Sequence, residues 1–123
     1  MTTIVPINHN PDFTPRPGVP APERLIEGSP VFSTWEHDAT PAGDVKWDKI
    51  LTGVWEATPG LTHSMKGTTL EFCHIIHGSA EITSVTGESW TFGAGDSFVM
   101  KPGFVGTWRT IETVRKIYVV AQE

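Results

Sequence analysis

From Val31 onward, apolar and polar residues alternate in short runs: "PVFSTWEH", "ILTGVWEATPG", "TTLEFCHIIHG", "SAEITSVTGESWTFGAGD", "SFVMKPG" and "FVGTWRTIETVRKIYVVAQ". No long window keeps the i, i+3, i+4 spacing of a helix. The runs are rich in β-branched and aromatic residues and are separated by Gly, Pro, Asn and Asp, which predicts an all-β sandwich or barrel. Within it, "SVTGESW" predicts a hairpin, with Thr86, Gly87 and Glu88 turning the chain between "AEITS" and "WTF". Before Val31 the alternation stops, and seven of the ten prolines (Pro6, Pro11, Pro15, Pro17, Pro20, Pro22, Pro30) fall there. Proline removes a ladder donor and fixes φ, so residues 1–30 are expected as an extended arm with one helical turn at "PERLIE", and residues 31–123 as a single β domain. Phe13, Val19, Leu25 and Ile26 need cover if the arm is ordered. A neighbouring subunit is a natural candidate, the alternative for the first dozen residues being a disordered tail.

A chain of 123 residues suits one domain with a single core. Its net charge of −5 is spread without a basic or acidic run, so the Lys/Arg footprint that phosphate backbones require is missing and nucleic acid is excluded as a partner. The single cysteine, Cys73, rules out an internal disulfide and suits a reducing compartment. The opening "MTTIVPINHN" lacks the cationic start and apolar run of a signal peptide, and no window approaches the length of a membrane span. A soluble cytoplasmic protein with no membrane partner is expected.

"LEFCHIIHGSAEI", followed by "FGAGDSFVMKPGFVGTW", resembles the two motifs of the cupin superfamily. Glu71 stands before the first-motif glycine, Gly78, with six residues between, and Gly95-Asp96 opens the second motif. With "GVWEATPG" and "GTWRTIETVRKIYVV", the chain is similar to the small cupins related to the ethanolamine-utilisation protein Q and to (S)-ureidoglycine aminohydrolase-like proteins. The resemblance covers residues 50–121 and reaches more weakly into "ERLIEGSPVFSTWEHDATPAGDVKWDKI". It implies a small jelly-roll barrel of two antiparallel sheets with a cavity at one mouth.

The segment from Glu71 to His77 holds a Glu, a Cys and two His, which invites a metal reading. Strand geometry dissolves the cluster: if Glu71 faces inward, so do Cys73 and Ile75, His74 faces outward, and His77 lies about 20 Å along the strand. The resemblance implies metal ligands from an "HxH" pair four or five residues before the Glu, and from a His three residues after the Pro-x-Gly glycine. Here the first slots fall on Ser64 or Met65 and on Lys66 or Gly67, and His63 is displaced to eight residues before Glu71. Lys101 stands where the Pro usually does, Gly103 aligns, and Gly106 takes the place of the His. No three-His metal site and no cofactor is therefore expected. Were a divalent transition metal to bind, Glu71 and His63 would hold it, with Cys73 the remaining donor.

Trp55 and Trp108 lie near the motifs that form the pocket, Trp108 with the inward parity of Gly106, and both offer stacking faces. In "RKIYVV", Lys116 and Tyr118 alternate with Ile117 and Val119, which predicts the first two in the cavity and the aliphatics between the sheets. A buried Lys116 needs a carboxylate, and Glu71 is the partner expected. Glu56 is a second candidate lining residue, while Asp96 reads as a turn residue bonding its own backbone.

Glu71, Cys73, Trp55, Trp108, Lys116 and Tyr118 thus form the expected binding set. The pocket would bind or convert a small polar metabolite: an amine, a ureide or a carboxylate. Two alternatives stand beside this: a non-catalytic structural or accessory cupin, and a metal-dependent cupin enzyme with an atypical ligand set. Phe72, His74 and Ile76 face away from the barrel and need cover, so a homodimer is expected.

Overall fold

Alternation of buried and open positions along the strands dictates the architecture. The computed structural model describes residues 5–40 and 47–123, and among them it contains nine strands and no helix. These are β1 (Arg16–Gly18), β2 (Leu25–Gly28), β3 (Phe32–Thr40), β4 (Lys49–Ala57), β5 (Gly60–Met65), β6 (Leu70–Ser84), β7 (Ser89–Gly93), β8 (Ser97–Met100) and β9 (Val105–Gln122). All pairings are antiparallel.

Two long strands belong to both sheets. The last part of β9 lies between β4 and the start of β6, with Trp55 opposite Lys116 and Cys73 opposite Tyr118. The first part of β9 lies between β5 and the end of β6. One sheet therefore runs β1-β3-β4-β9-β6-β8 and the other β2-β5-β9-β6-β7. The two curl into a jelly-roll barrel. At the corner, β6 changes register between Ile75 and Ala80, as strands that switch sheets do through bulges. Gly78 makes this passage possible: its φ is +82°, and an added Cβ would stand 2.0 Å from the Thr113 carbonyl oxygen.

Inward positions carry the core: Cys73, Ile75, Ala57 and Val114 are fully buried, and Phe92 stacks on Phe98 with centroids 4.1 Å apart. Ile117 and Val119 are half-buried on the opposite face of β9, and do not pack between the sheets as the alternation in "RKIYVV" suggested. The turn at Thr86–Glu88 closes β6 onto β7, with Gly87 at φ +97°.

The Pro-rich arm departs from expectation, because it enters both sheets by their edges. β1 pairs with β3, and β2 pairs with β5. Pro17 sits on an edge strand, where a missing N–H leaves no interior ladder bond unmade. Of the helical turn expected at "PERLIE", only residues 22–24 form a turn, closed on the Ala21 carbonyl, which accepts from the N–H groups of Arg24 and Leu25, and the chain continues from Leu25 as β2. The preceding segment lies on its own barrel: the Trp35 indole N–H donates to the Phe13 carbonyl at 3.0 Å, and Arg115 Nη1 donates to the His9 carbonyl at 3.3 Å. Residues 1–4 of the expected arm, and residues 41–46 of the expected barrel domain, lie outside the described residues.

Candidate functional site

One carboxylate and two ammonium groups meet inside the barrel. Alternation along β6 points Glu71 inward with Cys73 and Ile75. Lys116 points inward from β9, and Lys66 follows β5 in the turn that leads to β6. Lys116 Nζ donates to Glu71 Oε2 at 2.6 Å, and Lys66 Nζ donates to Oε1 at 2.7 Å. The Cys73 thiol adds a third bond to Oε2 at 3.3 Å. Each carboxylate oxygen thus has its own cation, which is the arrangement a buried charge requires.

Aromatic rings complete the surroundings of Lys116. Its Nζ lies 4.4 Å from the centroid of Trp55 and 4.5 Å from that of Trp108, within cation–π range. The two indoles meet edge to face, with centroids 5.7 Å apart, and Trp108 Nε1 donates to Thr110 Oγ1 at 3.0 Å. Trp108 is thereby pinned, and the Lys116 stem runs through apolar surface to a head held by Glu71 and two indole faces.

Electrostatics follow from this packing. Burial pushes the Glu71 carboxyl up, but Lys116 and then Lys66 pull it down further, to about 2 from an ordinary 4.5. Burial pushes the Cys73 thiol up to about 12. Burial alone would lower the Lys116 ammonium; the adjoining Cys73 and Glu71 hold it above its ordinary value instead. Since the thiol is neutral at physiological pH, the Glu71 carboxylate carries that effect. Burial also raises the Tyr118 phenol, with Glu36 adding to the shift and Arg16 opposing it.

A cavity of about 420 Å³ opens above this group, lined by Trp55, Trp108, Glu71, Lys66, Lys116 and Tyr118 among others. Five of the six expected binding residues therefore share one cavity wall. Cys73 is the exception: it is wholly buried behind Glu71 and does not line the cavity. Glu56 also departs from expectation, pairing with Arg115 at 3.4 Å away from the lining. Asp96 accepts the Gly93 N–H at 2.8 Å in the turn before β8. His63 is exposed on β5 but reaches the cavity wall.

The residues around Glu71 do not fit a transition metal. Among the described residues, no three His, Cys, Asp or Glu side chains gather, and both oxygens of Glu71 are already bound by ammonium groups. Gly106 has no room for a ligand side chain, since a Cβ there would stand 2.0 Å from the Thr83 carbonyl oxygen.

Sequence reasoning missed three cationic residues of the cavity wall. Lys66 occupies a slot read only as a vacant ligand position, and the cue to its role is the second oxygen of Glu71, which Lys116 alone leaves unpaired. Arg16 and Arg24 come from the arm, whose path is set by edge pairing that no local pattern announces.

The EutQ-like cupin domain family model matches residues 46–118, more than half of the chain, and the chain belongs to that family. No protein of curated function matches it. Among solved structures, a protein of unknown function from Pseudomonas syringae pv. tomato is similar at 23% identity and a TM-score of 0.78, over 94% of this chain and 46% of that one. The present chain thus spans about half the length of that protein. A second, from Thermotoga maritima, shares 29% identity at a TM-score of 0.50, over 59% of this chain and 76% of that one. The Clostridium difficile EutQ protein shares 19% identity at a TM-score of 0.62, over 85% of this chain and 80% of its own.

Proposed function

We propose that this EutQ-like cupin binds a small polar metabolite in the cavity above Glu71, and that it does so without a transition metal. The observation that carries this reading is the clamp itself, in which Lys66 and Lys116 take the two carboxylate oxygens beneath the Trp55–Trp108 wall. A carboxyl held at about 2 is a weak proton acceptor near neutrality, so Glu71 acts as the fixed counter-charge that orients two ammonium donors. Whatever chemistry follows binding rests on those donors stabilising negative charge. The buried thiol of Cys73 suits the reducing cytoplasm as the place of action, and among the described residues no helix is long and apolar enough to cross a membrane.

Thermal-shift measurements test this reading. A panel of small metabolites and of Mn, Fe, Ni and Zn salts is added to the purified protein, since a ligand of the native state raises the melting temperature by mass action. Metabolites of one chemical class are expected to stabilise, with no effect of chelators. About one transition metal per chain by elemental analysis, lost in Glu71→Ala, would overturn it.

A second reading, an accessory cupin that works through assembly, is favoured by one feature. Trp90 and Val99 are 44% and 49% exposed beside a separate apolar cavity of about 380 Å³ between β7 and β8. In this reading a homodimer covers that edge, and sedimentation of Val99→Lys as a monomer beside a dimeric parent is the expected result.

A further inference from the structure

We infer that the ligand of this cavity is a small organic carboxylate, held by Lys66 together with Arg16 and Arg24 of the N-terminal arm, with its carbon body against Trp55 and Trp108. The inference rests on the binding reading above and narrows it.

Charge is the first ground. Among the described residues that line the cavity, Arg16, Arg24, Lys66 and Lys116 are cationic and Glu71 alone is acidic. The wall therefore carries a formal excess of three positive charges (four minus one) in a chain whose net charge is −5. Glu71 has no oxygen to spare, because each is bound by an ammonium group. An amine entering here meets four cations and no free carboxylate. A neutral ureide leaves the excess unanswered. An anion answers it, in a partly enclosed site where attraction between charges is stronger than in water.

Topology is the second. β1 lies on the edge of one sheet and β2 on the edge of the other, so residues 19–24 must cross from sheet to sheet. Val19, Pro20, Ala21 and Arg24 of that crossing line the cavity, and so does Arg16 of β1. Among the described residues, neither guanidinium meets an acid, whereas Arg109 and Arg115 pair with Glu27 and Glu56. Arg16 is near enough to Tyr118 for its charge to act on the phenol. The arm thus carries two uncommitted cations across the mouth of the barrel.

Wall chemistry separates carboxylate from phosphate. No helix N-terminus exists among the described residues to present successive N–H groups to a phosphate. Indole faces and Lys or Arg donors suit a carboxylate on an apolar or planar body.

The test measures binding to the full chain by calorimetry, using benzoate, hexanoate and succinate as probes against benzamide, benzylamine and inorganic phosphate. At least one carboxylate is expected to bind at least tenfold more tightly than benzamide and phosphate, with affinity falling as salt is raised. Arg16→Gln with Arg24→Gln, both at exposed positions, is expected to weaken that carboxylate about tenfold and to leave the melting temperature of the free protein unchanged. Tighter binding of benzylamine or benzamide would overturn the carboxylate assignment while the pocket reading stands. Phosphate binding equal to that of the carboxylates, or an unchanged affinity in the double variant, would also overturn it. Failure of every probe, together with failure of the metabolite panel to shift the melting temperature, would overturn both.

Discussion

Lys116→Met is the perturbation that most directly probes the clamp. Lys116 is 5% exposed and Glu71 6%, so neither charge can turn to water when its partner is lost. At 2.6 Å and an effective dielectric constant of about 20, the Coulomb attraction is about 6 kcal/mol, much of it offset by the desolvation of both groups. Breaking a buried pair typically destabilises by about 3–5 kcal/mol. Lys66 still holds Oε1 at 2.7 Å, and the methionine stem still fills the space between the indoles, so a loss of about 3 kcal/mol is expected. Glu71→Gln leaves two ammonium groups sharing one neutral amide, and its loss is expected at about 4–5 kcal/mol. Lys66→Met removes a side chain that is 16% exposed and more easily hydrated, for about 1–2 kcal/mol. Lys49→Met, on an exposed position, is the control and should stay within about 0.5 kcal/mol. The assay is denaturant unfolding at pH 7 with a constant slope, extended to the Glu71→Gln, Lys116→Met double variant. The double variant should recover part of the summed loss, giving a coupling of about 2 kcal/mol. A coupling within error of zero, or a Lys66→Met loss as large as that of Lys116→Met, would refute the reasoning.

Acid unfolding should show Glu71 directly. Its folded-state value of about 2 lies below the ordinary 4.5, so the unfolded chain takes up the proton first; the stabilisation is complete above about pH 4.5 and lost as pH falls toward 2. On the order of 3 kcal/mol drains away across that window, and an acid limb equally steep in Glu71→Gln would contradict the assignment. The Cys73 thiol, pushed up to about 12 by burial, should resist iodoacetamide at pH 8 in the folded protein and react only at the rate of unfolding. Gly78→Ala should destabilise by at least about 2 kcal/mol, because its Cβ would meet the Thr113 carbonyl at a φ of +82°; an unchanged melting temperature would show that the corner can shift.

What could be read in the sequence was whatever depends on parity within a strand. Glu71, Cys73 and Ile75 on β6, and Lys116 and Tyr118 on β9, point inward because side chains alternate, and two inward strands of one barrel bring Glu71 to Lys116 across 45 residues of sequence. The hairpin at Thr86–Glu88 was legible because its turn chemistry is local. β5 was not, since "TPG" reads as the end of a run, while the chain turns at Thr58 and Pro59 and resumes as a strand at Gly60. The arm was the largest gap: prolines argue correctly against interior strands but leave edge pairing open, and which edge β1 or β2 joins depends on partners distant in sequence. Cys73 shares the parity of Glu71 yet lies behind it, because parity assigns a face and says nothing of depth along the barrel.

Lys66 shows why a departure from a family pattern is informative. In the cupin motif an HxH pair four or five residues before the glutamate supplies metal ligands, and the buried carboxylate is neutralised by the ion it binds. This chain keeps the glutamate and has lysine five residues before it, so the charge of Glu71 is answered by ammonium groups instead. The exchange alters what the site can attract. A metal leaves open positions that accept neutral donors and anions alike, whereas Lys66 and Lys116 offer only N–H donors and an excess of positive charge. Gly106 itself is closed to a ligand side chain by the Thr83 carbonyl oxygen, which a Cβ there would approach to 2.0 Å. Under the carboxylate proposal, selectivity rests on the number of cations at the wall, two of which, Arg16 and Arg24, come from the arm.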